Sequence, residues 1–394
     1  MRAQLFLRAF KENPMALIHA DTRGNLPSTH ELIIGVGGYR HLQGGSDERQ
    51  QVMENVGLLR QLTSPPRSAI AFAQHLLDIQ ADLRAPLGSI DLLISAAPEE
   101  PNPLPAHMAA DPASLANIRA AYAAWRERCN RHEDNLAVFY FCGHGLEKTE
   151  QYLLAEDFGA DPLNPWLGAF AFDSTRLAFH GCRAKTQCFF IDACRNITSA
   201  MLRTRPNPSP LELVMEDIPD CDFNLTMKAT ARNQTALGPR RGVSYFTQAL
   251  LKALQGAVAT QGSTGWVIES GQVAAHITTL LGLVKTSEGF TQRCACEVIG
   301  NTELVQISGT PRVFLKLACE PEPANQAVEL AFERPGVAPE NVAWHPGAPW
   351  SLDTDAGFYV AEARFRQGGF GDARREIFAL PPARDYLLIC NPIQ

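Results

Sequence analysis

The chain has 394 residues, of which 45% are hydrophobic and 20% are charged, a balance typical of a folded protein that can bury a sizeable core. Its formal net charge of −7 excludes a general attraction to nucleic acid or anionic lipid. No apolar run reaches the roughly 18–20 residues that cross a bilayer, and Arg8 and Lys11 interrupt the N-terminal segment where a signal peptide keeps its apolar core. We therefore expect a cytoplasmic protein without nucleic-acid or membrane partners, whose cysteines are mostly reduced thiols.

The first part of the chain predicts strands that alternate with helices. Segment 31–42, ELIIGVGGYRHL, is a predicted buried strand that runs into a glycine-rich turn. Pro65 and Pro66 open a predicted helix, and Ser114 is the predicted N-cap of another. Further strands are predicted at 89–97, 135–145, 187–196 and 224–231, and a further helix at 244–256, where Gly256 would form a left-handed cap. This alternation predicts an α/β fold with a mostly parallel, doubly wound sheet.

The pattern changes near residue 310. Short apolar runs punctuated by Gly and Pro, without helical periodicity, follow at 313–319, 327–332, 357–365, 375–380 and 385–390. We therefore predict an α/β domain over 1–310 and a small all-β, β-sandwich-like accessory domain over 311–394. A proline-rich stretch predicts an exposed linker loop at 198–220.

Two predicted strands end in side chains that can do chemistry. His144 follows an apolar run and lies between Gly143 and Gly145, and Cys194 follows another apolar run that ends in Asp192. Catalytic groups gather at the carboxyl ends of strands in doubly wound sheets. A nucleophilic cysteine needs a base, which an imidazole on the adjacent strand end could supply. On spacing alone, a catalytic pair and a pair of ordinary core residues are about equally well supported.

The motifs FYFCGHG and FFIDACRN together resemble the catalytic signature of the caspase-like cysteine peptidases (family C14, clan CD), including the bacterial metacaspase or orthocaspase branch. In that family an Asp-x-Cys motif follows a His-Gly motif by about 50 residues. The resemblance extends over roughly residues 30–310, because ELIIGVGGYRHL resembles the first strand of the family and GVSYFTQALLKALQG its small-subunit half. It implies a caspase-like sheet flanked by helices and a cysteine-type endopeptidase.

The resemblance also implies roles for individual residues. Cys194 would attack the scissile carbonyl, and His144 would transfer protons. The backbone amides of Gly145 and Cys194 would form the oxyanion hole. Asp192 matches the position that lines an acidic S1 pocket in metacaspase-like enzymes, so cleavage after Arg or Lys is expected. The alternative is that Asp192 is a strand-end or helix-capping acid without contact to substrate.

Alternatives stay open for the P1 specificity and for the way the peptidase is activated. Eukaryotic caspases bind a P1 aspartate through arginines, and Arg40 and Arg232 lie in comparable regions, so an Asp-specific peptidase is the alternative. The linker contains Arg203 and Arg205, where a basic-specific zymogen would cut itself; a proline after Arg205 favours Arg203. No metal site or other cofactor is predicted, and activation by calcium stays open because the acidic ligands of the metacaspase branch have no clear match.

The expected function is selective cleavage of protein substrates in bacterial signalling, stress or antiphage defence. An unregulated endopeptidase would harm the cell, so an upstream activating protein or protease is expected. The rival class is a catalytically silent caspase-fold scaffold that binds partners through its C-terminal domain. The presence of both His144 and Cys194 favours the enzyme.

Overall fold

The computed structural model describes residues 17–20, 26–57, 59–100, 103–106, 108, 110–195, 207–215, 221–231, 238–284 and 292–393. Within these ranges no helix is long and apolar enough to cross a membrane. The chain forms two compact units, which comprise Met1–Thr247 with Gln292–Thr302, and Gln248–Thr291 with Glu303–Gln394. The domains 1–310 and 311–394 stay a prediction, and the compact units differ from them by grouping 248–291 and 303–310 with the C-terminal segment.

The elements follow in chain order. The first part contains β1 (Leu17–Ala20), β2 (Thr29–Val36), α1 (Gln50–Val56), α2 (Ser64–Asp78), β3 (Leu87–Ser95), α3 (Leu115–Cys129), β4 (Leu136–Gly143), β5 (Gly145–Glu147), β6 (Gln151–Leu154), β7 (Ala169–Ala171), α4 (Phe172–Phe179), β8 (Thr186–Ala193) and β9 (Phe223–Lys228). The second part contains α5 (Tyr245–Lys252), β10 (Thr260–Gln261), β11 (Trp266–Glu269), α6 (Ser270–Val284), β12 (Ala295–Ile299), β13 (Glu303–Ile307), β14 (Arg312–Glu320), β15 (Glu329–Glu333), β16 (His345–Pro346), β17 (Trp350–Asp355), β18 (Gly357–Arg364), β19 (Ala373–Ala379) and β20 (Arg384–Ile389).

The first unit is built on a seven-stranded sheet in the order β1-β3-β2-β4-β8-β9-β12. The five central strands are parallel, as predicted, whereas the edge strands β1 and β12 are antiparallel and had no counterpart among the predicted elements. Every residue of β2, β4 and β8 is buried. Central parallel strands are covered on both faces, which is why these segments are nearly continuous apolar runs.

Helices pack on both faces of this sheet. The ring of Phe72, on α2, stacks on Tyr140 with centroids 4.7 Å apart. Trp125, on α3, contacts Phe139, which directly precedes Tyr140 in β4, with ring centroids 6.1 Å apart. Adjacent residues of a strand point to opposite faces, so the two helices cover opposite sides. The predicted N-cap is confirmed, since the Ser114 hydroxyl accepts a hydrogen bond from the α3 backbone.

The second unit contains α6, which had no counterpart among the predicted elements, and three sheets in the orders β10-β11-β13, β17-β14-β20 and β16-β15-β18-β19. The predicted runs from 313 to 390 form β14, β15, β18, β19 and β20. The latter two sheets share one apolar core. Among residues 311–393 no α-helix occurs, and short 3₁₀ turns connect the strands. Gly256 takes φ +122°, as predicted for a left-handed helix end.

Candidate active site

The register of two strands brings His144 and Cys194 to the same edge of the sheet. Strands β4 and β8 are parallel neighbours, and their last paired residues are Gly143 and Ala193. His144 and Cys194 are the next residues on the two strands. Neighbouring strands lie about 4.8 Å apart, so the predicted pair leaves the sheet side by side at its carboxyl edge.

The imidazole of His144 is oriented by the backbone of another segment. Its Nε2 lies 2.7 Å from the carbonyl oxygen of Arg60, and a carbonyl oxygen can only accept, so Nε2 carries the proton. The backbone N–H of His144 donates to the hydroxyl of Tyr39 at 2.7 Å, and the two rings lie 4.8 Å apart. In this tautomer Nδ1 is the ring nitrogen that can accept a proton.

Burial sets the charge of this imidazole. Desolvation lowers the pKa of His144 from 6.5 to about 4, while the hydrogen bond to the Arg60 carbonyl acts in the opposite direction. Burial also raises the pKa of Tyr39 well above its usual value, so its hydroxyl keeps its proton. Near neutral pH the site therefore holds a neutral imidazole that is able to act as a base.

Gly145 allows the segment after His144 to approach the segment of Cys194. A Cβ atom on Gly145 would lie 2.7 Å from the carbonyl oxygen of Cys194 and 2.8 Å from the Cβ of Ala193. Only glycine permits such an approach without a shift of the backbone. The Cys194 carbonyl also accepts a hydrogen bond from the side-chain amide of Gln151 at 3.4 Å. The oxyanion-hole role of the Gly145 and Cys194 amides stays a prediction.

Asp192 lies one residue inside the end of β8 and is 2% exposed. Its carboxylate accepts hydrogen bonds from the hydroxyls of Ser244 and Thr247, the latter at 2.7 Å, and from the thiol of Cys142. Burial raises the pKa of Asp192, and these three donors partly offset the rise. The carboxyl group is therefore fixed between the end of β8 and the start of α5, and its S1 role stays a prediction.

A cleft of about 700 Å³ is lined in part by Arg60. Its walls come from segments 43–44, 60–64, 97–100 and 238–241 of the first unit. Glu100 joins two of these walls, because its carboxylate pairs with Arg241 at 2.9 Å. His144 and Cys194 are not among the described lining residues, but Arg60, whose carbonyl binds His144, is one of them.

Other predicted site residues are placed differently. The guanidinium of Arg40 pairs with the carboxylate of Glu156 at 2.8 Å. Arg203, Arg205 and Arg232 lie outside the described residues. The described part of the predicted linker, 207–215, has no helix or strand, and the carboxylate of its Glu212 binds the Tyr122 hydroxyl and the Arg126 guanidinium of α3.

Sequence reasoning missed several residues of the site. Tyr39 could have been found from its place at the end of the glycine-rich turn GVGGYR, whereas nothing around Arg60 marks its carbonyl. Glu147 and Gln151 follow the histidine motif closely, but spacing does not reveal their partners. Among the described residues, no group of three His, Cys, Asp or Glu side chains could hold a metal ion. The absence of a cofactor and the calcium alternative both stay predictions.

Comparison with known proteins assigns the family. The family model of the Peptidase C14 caspase domain matches residues 32–293. The chain is 32% identical over 251 residues to uncharacterized protein y4kE of Sinorhizobium fredii, an alignment that covers 60% of this chain and 71% of that protein. The crystal structure of protein GSU0716 from Geobacter sulfurreducens is similar with 13% identity and a TM-score of 0.41, covering 70% of this chain and 94% of that one.

The chain belongs to the caspase-domain family of C14 peptidases, on the strength of the family match. The predicted resemblance and the predicted caspase-like fold class are both confirmed. Membership of this family supports a peptidase function of the cysteine type.

Proposed function

We propose that the protein is a cysteine endopeptidase in which Cys194 is the nucleophile and His144 the proton-transfer group. The observation that carries this proposal is the register of β4 and β8, which ends with Gly143 beside Ala193 and leaves His144 and Cys194 as the next residues. The Arg60 carbonyl supports it as well, because it fixes the imidazole tautomer that has a free Nδ1.

The proposed reaction has two steps. His144 takes the thiol proton of Cys194, and the thiolate attacks the scissile carbonyl. The amides of Gly145 and Cys194 donate hydrogen bonds to the oxyanion, and His144 then gives its proton to the leaving amine. Water next attacks the thioester carbonyl while His144 takes its proton. The C–S bond then breaks to release the acid product, and His144 returns the proton to the Cys194 sulfur. The Arg60 carbonyl accepts from Nε2 throughout, and this contact stabilises the imidazolium form in each step.

We further propose that the substrate carries Arg or Lys at P1. Asp192 supports this preference, because it is a carboxyl group two residues before the nucleophile and Ser244 and Thr247 hold it in place. The Asp-specific alternative is less well supported, because Arg40 already pairs with Glu156. Self-cleavage at Arg203 or Arg205, control by an upstream protein, and a cytoplasmic role in signalling, stress or antiphage defence are parts of the same proposal that need their own tests.

The deciding experiment measures turnover of fluorogenic peptides with Arg, Lys or Asp at P1, each with and without calcium. Wild type should hydrolyse the Arg and Lys peptides, and Cys194→Ala should not. Cys296→Ala, which removes an exposed thiol of β12, is the matched control and should behave as wild type. Activity retained in Cys194→Ala would refute the mechanism, and turnover of the Asp peptide alone would refute the P1 preference.

Self-cleavage has a separate test in the intact masses of wild type and Cys194→Ala after incubation. Fragments that end at Arg203 or Arg205 should appear in wild type only. Equal amounts of these fragments in both proteins would exclude cleavage by the protein itself.

A further inference from the structure

A buried ion pair joins the two chain segments that carry His144 and Cys194. Arg195 directly follows Cys194, and Glu147 ends the short strand that starts at Gly145. The Nη2 of Arg195 donates to Oε1 of Glu147 at 2.9 Å, and its Nε donates to Oε2. The two side chains are only 10% and 6% exposed. Such a two-point contact fixes the orientation of both groups as well as their distance.

The same guanidinium reaches a third segment. The Nη1 of Arg195 donates to the carbonyl oxygen of Thr230 at 3.2 Å. The Thr230 hydroxyl in turn donates to the carbonyl oxygen of Ala193 at 3.4 Å. Arg195 therefore holds the end of β8 between the segment after β9 and the segment after His144.

A second set of contacts fixes the strand that carries Glu147, the ion-pair partner of Arg195. Gln151 pairs with Glu147 in the β5–β6 register, and its side-chain amide donates to the Cys194 carbonyl. Its backbone N–H donates to Asp173 of α4 at 2.9 Å, and the Asp173 carboxylate also pairs with Lys228 at 2.6 Å. These contacts hold β5 in place, so movement of Arg195 relative to Glu147 would move Cys194 relative to Gly145.

We propose that Arg195 and Glu147 form a positioning clamp that holds the nucleophile of Cys194 in register with the Gly145 amide and His144. This inference rests on the proposed peptidase function and concerns residues that do not touch the substrate. Both residues lie within three positions of a predicted catalytic residue, on the two sides of the site. A displacement of about 1 Å at a reacting group can cost about 100-fold in rate, so loss of the clamp should appear in kcat.

The test compares Glu147→Gln and Arg195→Lys in the full chain. The first keeps the shape of the side chain but removes its charge, and the second keeps the cation but cannot make the two-point contact. We expect kcat to fall by about 100-fold in both variants while KM changes by less than about threefold. If Glu147→Gln fails to fold, Arg195→Lys decides, because it leaves the Glu147 carboxylate with a cationic partner.

The matched control is Asp91→Asn. It breaks another ion pair of the first unit, between Arg128 and an Asp91 side chain that is fully buried in β3. This variant should lose stability yet keep the kcat of its folded fraction. An equal loss of kcat in Asp91→Asn, or an unchanged kcat in both clamp variants, would overturn the proposal.

A second readout does not depend on peptide hydrolysis. The rate at which iodoacetamide alkylates Cys194 is measured by peptide mass spectrometry, with the exposed Cys296 as the reference thiol in the same molecule. The ratio of the Cys194 rate to the Cys296 rate should fall about tenfold or more in both clamp variants and stay unchanged in Asp91→Asn, because general-base assistance contributes at least that much. An unchanged ratio would refute the clamp whether or not wild type cleaves the test peptides, so failure of the clamp is distinguished from failure of the proposed function.

Discussion

The two units of the protein bury different kinds of side chain. Every buried aspartate, glutamate and arginine among the described residues lies in the first unit, and these are Glu31, Asp91, Glu147, Glu156, Asp192 and Arg195. The core between the sheets of the second unit is apolar and includes the thiols of Cys319 and Cys390. Burying a charge costs free energy unless partners compensate it. The folding of the first unit therefore includes the free-energy cost of burying charged groups, whereas the apolar core of the second unit does not.

Half of these charged groups lie near one edge of the sheet. Glu147, Asp192 and Arg195 all lie within three residues of His144 or Cys194 along the chain. In the second unit, charged side chains such as Arg312 and Asp353 pair at the surface instead. The comparison indicates that buried polarity is concentrated where the proposed chemistry takes place and that the second unit is held together by apolar packing.

The largest difference in stability between the two units is expected when one tryptophan is replaced in each. Trp125 is fully buried, stacks on Phe179 at 4.4 Å and donates to the His30 carbonyl at 2.9 Å. Trp125→Ala should lower the free energy of unfolding by about 4 kcal/mol, because it leaves a cavity and an unpaired carbonyl. Trp350→Ala removes a half-buried ring stacked on His345 and should cost about half as much. Urea denaturation measures both, and equal losses would contradict the difference in packing.

A buried histidine should make the first unit sensitive to acid. Burial lowers the pKa of His75 from 6.5 to about 4. Between these values the unfolded chain binds a proton that the folded chain does not, so stability is full above pH 6.5 and is lost as the pH falls towards 4.

In His75→Leu this loss of stability at low pH no longer occurs, because leucine does not bind a proton. Relative to wild type, the variant should gain on the order of 3 kcal/mol of stability between pH 6.5 and pH 4. Chemical denaturation at a series of pH values tests the prediction. Parallel curves for the two proteins would show that His75 does not titrate in this way.

Two glycine substitutions compare a site in each unit. In Gly145→Ala the new Cβ would lie 2.7 Å from the Cys194 carbonyl oxygen, so the segment must shift and kcat should fall by about 100-fold. In Gly282→Ala, on α6, the new Cβ meets open space, and the helix should gain about 0.5–1 kcal/mol of stability with activity unchanged. Steady-state kinetics and thermal unfolding check the pair. Full activity in Gly145→Ala would show that the close approach is not needed.

The smallest effect is expected at the surface of the second unit. Asp353 pairs with Lys252 and Arg312 and is 30% exposed. Asp353→Asn should cost about 1 kcal/mol or less, and the cost should shrink in high salt because solvent and ions screen exposed charges. Thermal unfolding at low and high ionic strength measures this. A larger loss that salt does not change would mean that these charges act as buried ones.

Much of the sheet edge that carries His144 and Cys194 could be predicted from the sequence because local signals suffice there. Apolar runs that end in His144 and Cys194 predict two strand ends, and a parallel sheet brings such ends to one edge. Ser114 and Gly256 were predictable for the same reason, since the capping of a helix depends on a few neighbouring residues.

The remaining features depend on contacts between distant segments. Strand β12 has mostly exposed or half-buried residues, so no alternation marks it as part of the sheet. The carbonyl of Arg60 is a backbone group, and any residue type could supply it at that position. The pairing of Glu147 with Arg195 spans 48 residues and became visible only when the fold placed both beside the strand ends.

The pairing of β4 with β8 also limits how this protein can vary during evolution. The two strands pair without an offset from Leu136 with Thr186 to Gly143 with Ala193. Inserting or deleting one residue within β8 would turn every later side chain of the strand to the opposite face, including Asp192. Descendants can therefore change these strands by substitution, whereas changes of length are confined to the connections. The number of residues between His144 and Cys194 can change, but the number from the first residue of β8 to Cys194 cannot.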